Sequence, residues 1–260
     1  MASRICLLFY GLIAVIGFMA CFTTAIQLAE FLSSQSLRAT LSWGIELSEN
    51  TCKGTGIWWS LLQNGILLLV FVLQHSLMAT DCWKNLLSTL HLTVIERPIY
   101  VIATAYALQT LMVNWLSVPE AFVWFIDTSH GRPVLWTFFF LFHLLAWLIV
   151  YGSALTMDIA ELIGIKQVYY YSLGLGDPLQ YKSRRAQSLY RHMRHPGTCC
   201  LLAILWIHPI MTLGRFLLAL CWSFYLLFGN HVDDGDYVYV GEQITRKRWG
   251  WSSPGIMTPM

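Results

Sequence analysis

From Ile5 to Ala29 the chain runs twenty-five residues without an Asp, Glu, Lys or Arg. At ~1.5 Å per residue a helix of that length reaches roughly 37 Å, more than the ~30 Å hydrocarbon core of a bilayer. Inside a bilayer only helices or closed barrels can satisfy their own backbone groups, and an uninterrupted run of this kind selects the helix. Further uncharged runs follow at Ile57–Thr80, Ile99–Val118 and Val134–Met157, and Gly197–Val232 is interrupted by a single charge, Arg215. Hydrophobic residues make up 57% of the chain and charged residues 12%, about half the charged share of a soluble domain. The expectation is an all-α, multi-pass transmembrane helical bundle in one domain, with no room for a separate soluble one.

The last run is too long for one span. Pro209, Gly214 and Arg215 divide it into Gly197–Leu213 and Phe216–Val232, each reaching roughly 26 Å. Two short spans and a hairpin that dips into the membrane and returns both fit. About six spans are therefore expected, at 5–29, 57–80, 99–118, 134–157, 197–213 and 216–232, with 233–260 as a tail. The first run is too long for a cleavable signal core and reads as a retained helix closed by Glu30. Phe31–Thr55 reads as an exposed loop. So does Ile165–Lys182, whose Gly174, Gly176 and Pro178 break a long helix and whose three consecutive tyrosines suit the membrane interface. The seven cysteines lie mostly in apolar segments and imply no disulfide framework.

Alternating the spans puts twelve Lys and Arg residues on one side and four (Arg38, Lys53, Arg132 and Arg215) on the other. By the positive-inside rule the N-terminus, the basic stretch Tyr181–Arg194 and the tail face the cytosol and the continuous nucleoplasm. Arg194 and His195 then stand at the membrane surface, where Pro196 opens the first turn of the next helix.

Three groups of residues invite a chemical reading. Asn64 and His75 lie eleven residues apart, three turns along one helix face, and Gln63 and Gln74 repeat the spacing next to them. Such a stripe faces protein or water. It forms either a pocket with a proton-accepting group or interhelical hydrogen bonds worth ~0.6 kcal/mol each. His143, mid-span in the fourth run, is a candidate partner. Arg194 and His195 at a helix mouth suit a carboxylate or phosphate, or else anchor the helix against anionic lipid. A hairpin returns Asp233 and Asp234 to the same face, which would make a charged site there, or a solvated helix end. His231 and Asp233 alone are too few ligands for a metal site, and none is expected. No phosphate-cradling glycine loop or nucleophile elbow is present, and nothing indicates nucleic acid.

LLLVFVLQHSLMA (Leu67–Ala79), ELIGIKQVYYYSLGLGDPL (Glu161–Leu179) and HMRHP (His192–Pro196), with the spacing of all six apolar segments, resemble the nurim family. That family comprises multi-pass proteins of the inner nuclear membrane. It is similar in turn to the isoprenylcysteine carboxyl methyltransferases, which bind S-adenosylmethionine with an Arg-His-Pro-x-Tyr step, a helical hairpin, an acidic pair and a Phe-Gly-x-x-Tyr segment. Arg194, His195 and Pro196 match that step, and Asp233 and Asp234 stand where the acidic pair belongs. Thr198, Val240 and Ile244 replace the three aromatic residues. The resemblance thus implies an isoprenylcysteine-methyltransferase-like bundle at the inner nuclear membrane, in contact with membrane lipids and nuclear-envelope proteins. With the aromatic positions lost, a non-enzymatic resident or scaffold is expected. The alternative is an S-adenosylmethionine-dependent methyltransferase acting on a lipophilic substrate, with Arg194, His195, Asp233 and Asp234 holding the cofactor.

Overall fold

The computed structural model describes residues 4–38, 56–118, 120–128, 133–156, 158–176, 178, 197–229 and 245, with the backbone alone at 34–38 and 156. In chain order the helices are α1 (Arg4–Arg38), α2 (Ile57–Leu77), α3 (Asp81–Thr89), α4 (Glu96–Val113), α5 (Pro133–Thr156), α6 (Ile159–Ile163), α7 (Ile165–Ser172), α8 (Thr198–Trp206) and α9 (Leu213–Gly229). Two short strands, β1 (Phe122–Phe125) and β2 (Ile210–Thr212), pair antiparallel. The all-α membrane architecture expected from the sequence is what is observed. Three described helices, Arg4–Ser33, Ile57–Leu77 and Pro133–Leu155, are long and apolar enough to cross a membrane, and Leu213–Phe228 is a shorter apolar helix.

The bundle is inverted relative to a soluble protein, with large apolar side chains such as Ile5, Leu8, Phe22, Leu69 and Leu145 more than half exposed along the outer faces. Lipid tails are as apolar as these side chains, so association depends on close packing and on hydrogen bonds. α1 and α4 run side by side in the same direction. Gly17 lies against the backbone of Pro98, Gln109 Nε2 donates to Thr24 Oγ1 at 2.9 Å, and Phe31 meets Trp115 edge-on. The core joins Leu32 of α1, Leu68 and Phe71 of α2, Leu111 of α4, Trp147 of α5, Ile204 and Leu205 of α8, and Leu218 and Trp222 of α9. A second cluster at the other end holds Ala14, Ile95 and Val168 together.

Several element boundaries differ from the sequence expectation. α1 does not stop at Ala29 but continues through Glu30 to Arg38, because a charge ends a membrane span without ending a helix. The span expected at 99–118 is α4, which closes at Val113 rather than Val118, where the Asn114 side chain donates to Thr110 O at 2.8 Å. The segment expected to be a loop from Ile165 is helical to Ser172, and only then do Gly174 and Gly176 turn the chain. Asp158 and Glu161, just beyond the span expected at 134–157, hold Lys166 of α7 at 2.8 and 3.7 Å. The hairpin differs most. The arm expected at 197–213 is helical only over Thr198–Trp206, since Pro209 lacks the N–H for the next turn and its ring excludes the helical carbonyl four residues back.

The residues after that break are extended and pair with the preceding loop. Ile126 N donates to Pro209 O at 2.8 Å, Leu213 N to Ala121 O at 3.0 Å, and Trp124 Nε1 to His208 O at 2.9 Å. The loop between α4 and α5 thereby covers the turn between α8 and α9.

Gly164 joins α6 to α7 at φ +96°, where a Cβ would lie 2.3 Å from Pro98 Cδ and 2.7 Å from Arg97 Cβ. Both the left-handed backbone and the contact demand glycine. Gly164→Ala is expected to cost more than about 2 kcal/mol. Gly11→Ala, with nothing within 4 Å of the added methyl, should stay within about 0.5 kcal/mol. Denaturant or thermal unfolding in detergent micelles measures both.

Candidate functional site

Arg194, His195, Asp233 and Asp234, the candidate ligand residues, lie outside the described residues. The helix that follows the Arg-His-Pro step is described, and its first residue is informative. Gly197, at φ +84°, leaves only 3.2 Å between a notional Cβ and both Val150 Cα and Ser153 Oγ. Those residues lie one to two turns short of the end of α5 at Thr156. α8 therefore starts recessed within the bundle.

In the polar stripe of α2, Asn64 and His75 are buried and Gln63 and Gln74 half-buried, and the stripe divides into two separate pairings. Asn64, fully buried, clamps one residue of the chain after α4: its Oδ1 accepts from Leu116 N at 2.9 Å and its Nδ2 donates to Leu116 O at 2.8 Å. Gln63 Nε2 adds a bond to Asn114 O at 3.0 Å. Three turns away His75 meets α4. The Tyr100 hydroxyl lies 2.8 Å from its Nε2 and the Thr104 hydroxyl 3.2 Å from its Nδ1. Phe71, Tyr100 and Tyr225 surround the imidazole with ring centroids at 5.6, 5.0 and 5.9 Å. Gln74 donates from Nε2 to Met78 Sδ at 3.1 Å, and its buried Oε1 has no partner.

His143 does not complete this stripe, and its bonds run elsewhere. Its Nε2 lies 2.8 Å from Ile207 O, and its Nδ1 lies 2.8 Å from Ser33 Oγ, which accepts from Trp147 Nε1 at 2.9 Å. A carbonyl can only accept, so the proton of a neutral ring must sit on Nε2, leaving Nδ1 as an acceptor. The imidazole thus links α5, α1 and the broken end of α8.

Beside it is a residue that the sequence reading took only as a break in the last apolar run. Arg215 stands in the first turn of α9 yet is 5% exposed, and its Nη2 donates to Leu32 O at 2.9 Å and Ile204 O at 3.2 Å. It is a cation buried inside the protein, not a solvated charge. His208, equally hidden, has its Nδ1 2.8 Å from Ile210 O and its ring 5.7 Å from that of His143. Arg215 as the sole charge in a thirty-six-residue apolar run was the available signal, and a buried ionisable group in a membrane segment ordinarily marks function.

Replacing Asn64 with Leu would leave both Leu116 backbone groups unpaired in a buried setting. The expected cost is about 1–3 kcal/mol, against less than about 1 kcal/mol for Gln63→Ala at an exposed bond. Unfolding titrations of the two variants in the same detergent compare them directly.

No family model matches the chain, and no solved structure matches it. Curated relatives do. It is 37% identical to Nurim of Xenopus laevis over 250 residues, covering 90% of this chain and 84% of that one. It is 36% identical to Nurim of Danio rerio over 252 residues, 93% and 90% of the two chains. The Nurim homolog of Drosophila melanogaster is 33% identical over 223 residues, 85% of this chain and 88% of the fly protein. Identity of this extent over 90% and 93% of its length means that the chain belongs to the nurim family.

Proposed function

We propose that this protein is a structural, non-enzymatic resident of the inner nuclear membrane, a multi-pass bundle with both termini on the nucleoplasmic and cytosolic side. The observation that carries the reading is the use of its interior polar groups. Asn64, His143 and Nη2 of Arg215 each bind the backbone of another segment, so the side chains that would line a reaction chamber join helices instead. Kinship with the nurim proteins supports the nuclear location, and the basic 181–194 segment and the tail supply surfaces for envelope proteins and anionic lipid. A fluorescent fusion of the whole chain is expected at the nuclear rim. A tag after Met260 should become accessible to antibody only once the nuclear envelope itself is opened. Staining throughout the endoplasmic reticulum, or a tag reached after plasma-membrane permeabilisation alone in cells showing a complete rim, would reject the assignment.

The recessed start of α8 at Gly197 favours a second reading, a methyltransferase using S-adenosylmethionine on a lipophilic substrate. Arg194 and His195 with Asp233 and Asp234 would supply both signs of charge for its zwitterionic amino-acid end. On this reading Arg194→Ala weakens cofactor binding by about one to two orders of magnitude, the equivalent of about 1.5–3 kcal/mol. Equilibrium dialysis of the purified protein decides, and no binding at millimolar cofactor leaves the structural role alone.

A further inference from the structure

Six free cysteines lie among the described residues, and two of them stand apart. Cys6 and Cys82 are exposed and lie within two residues of a charged side chain, Arg4 in the first case and Asp81 and Lys84 in the second. Such a position is the edge of the membrane, since a charge costs little at headgroup depth and far more at the bilayer centre. Cys199 is exposed too, but it is the second residue of α8, whose start is recessed in the bundle. Cys21, Cys200 and Cys221 are half-buried within apolar segments.

Both edge cysteines belong to one end of the bundle. Cys6 lies one turn before Tyr10, which packs on the cluster of Ala14, Ile95 and Val168 and meets the ring of Tyr171 at 6.0 Å. Cys82 is the second residue of α3, and α3 closes onto the same cluster, where Leu92 N donates to Leu87 O at 2.9 Å. α3 is two-sided. Asp81, Lys84, Asn85 and Ser88 fall along one side, while Cys82, Leu86 and Leu90 follow one another at four-residue steps along the other. Leu87 turns inward and is buried, whereas Leu86 and Leu90 are 51% and 55% exposed. A nine-residue helix is marginal by itself in water, and one with a leucine strip uncovered lies in the plane of the membrane edge with that strip among the acyl chains. Cys82 heads the strip beside the polar side, so its thiol stands where headgroups meet hydrocarbon.

We infer that Cys82 and Cys6 are sites of reversible S-acylation by a long-chain fatty acid. Cysteines beside a membrane span or on an amphipathic helix are the ones that take this modification. The inference rests on the orientation proposed above, because the acyl donor, a fatty acyl-coenzyme A, is supplied on the cytosolic side. Each thiol adds to the acyl carbonyl; the bond from cysteine sulfur to that carbon forms, the bond from coenzyme A sulfur to it breaks, and coenzyme A leaves as a thiol carrying the proton. Nothing is oxidised or reduced. The chain on Cys82 extends the strip of Leu86 and Leu90 and pins α3 to the bilayer.

The test uses the full chain expressed in cultured cells. Free thiols are blocked, thioesters are cleaved with neutral hydroxylamine, and each thiol released is coupled to a polyethylene glycol maleimide that shifts the band once. Two hydroxylamine-dependent shifts are expected for the parent chain, one each for Cys82→Ser and Cys6→Ser, none for the double variant, and still two for Cys199→Ser. No hydroxylamine-dependent shift, or shifts that survive in the double variant, would overturn the sites. A membrane-impermeant maleimide added to sealed, hydroxylamine-treated microsomes tests the orientation separately. Label that disappears in the double variant shows both thiols facing the cytosol, and no such label rejects the orientation and the acylation with it. Label without any hydroxylamine-dependent shift rejects the acylation alone.

Discussion

A membrane helix that stops inside the bundle leaves backbone carbonyls with no water to turn to, and the rest of this structure is arranged around one such stop. α8 ends at Trp206, half-way along the bundle. Ile204 O is taken by Arg215 and Ile207 O by His143, while the residues beyond pair with β1. Each of these partners is itself tied to a different element. Arg215 also holds Leu32 of α1, and His143 sits beside Ser33, which receives Trp147 of α5. Satisfying one interrupted helix therefore draws α1, α5, α9 and the α4–α5 loop to a single place. In lipid, where apolar side chains gain little by leaving the solvent, polar requirements of this kind are what make such a convergence specific.

The opposite end of the bundle is held by different means. There Gly17 and Gly164 allow close backbone contact with Pro98 and its neighbours, and the Lys166 pairings with Asp158 and Glu161 set the direction in which α7 leaves. Lys166 also lies over the ring of Tyr170, 5.8 Å from its centroid. The conspicuous block from Glu161 onward is thus a clasp across the starts of α1 and α4.

Much of this was legible in the sequence because membrane insertion imposes length and charge rules that can be read residue by residue. The uncharged runs located α1, α2 and α5; the eleven-residue spacing of Asn64 and His75 put them on one face toward protein or water, and both are buried. What the sequence concealed depends on tertiary context. Arg215 stands out in the sequence as a lone charge in an apolar run, but only the fold shows that two carbonyls await it. The pairing of His143 with Ser33 joins residues 110 positions apart, and no local rule connects them. The α7 helix was hidden by glycines that lie beyond its end and do not interrupt it. Arg194, His195, Asp233 and Asp234, though conspicuous as motif residues, fall outside the described residues.

The strand pair joining 122–125 to 210–212 also bears on how such a protein is made. Insertion proceeds from the N-terminus, so β1 leaves the ribosome more than eighty residues before the segment that completes it. During that interval α5 must enter the bilayer beside a loop whose backbone donors and acceptors face water alone. The bundle cannot be sealed span by span; closure waits for the last apolar run, and long-range pairing of this kind is intrinsically slow. A chain released before Thr212 would carry every span through α5 and still lack the piece that locks them together. That makes the late hairpin the natural point at which quality control could tell a finished molecule from an unfinished one.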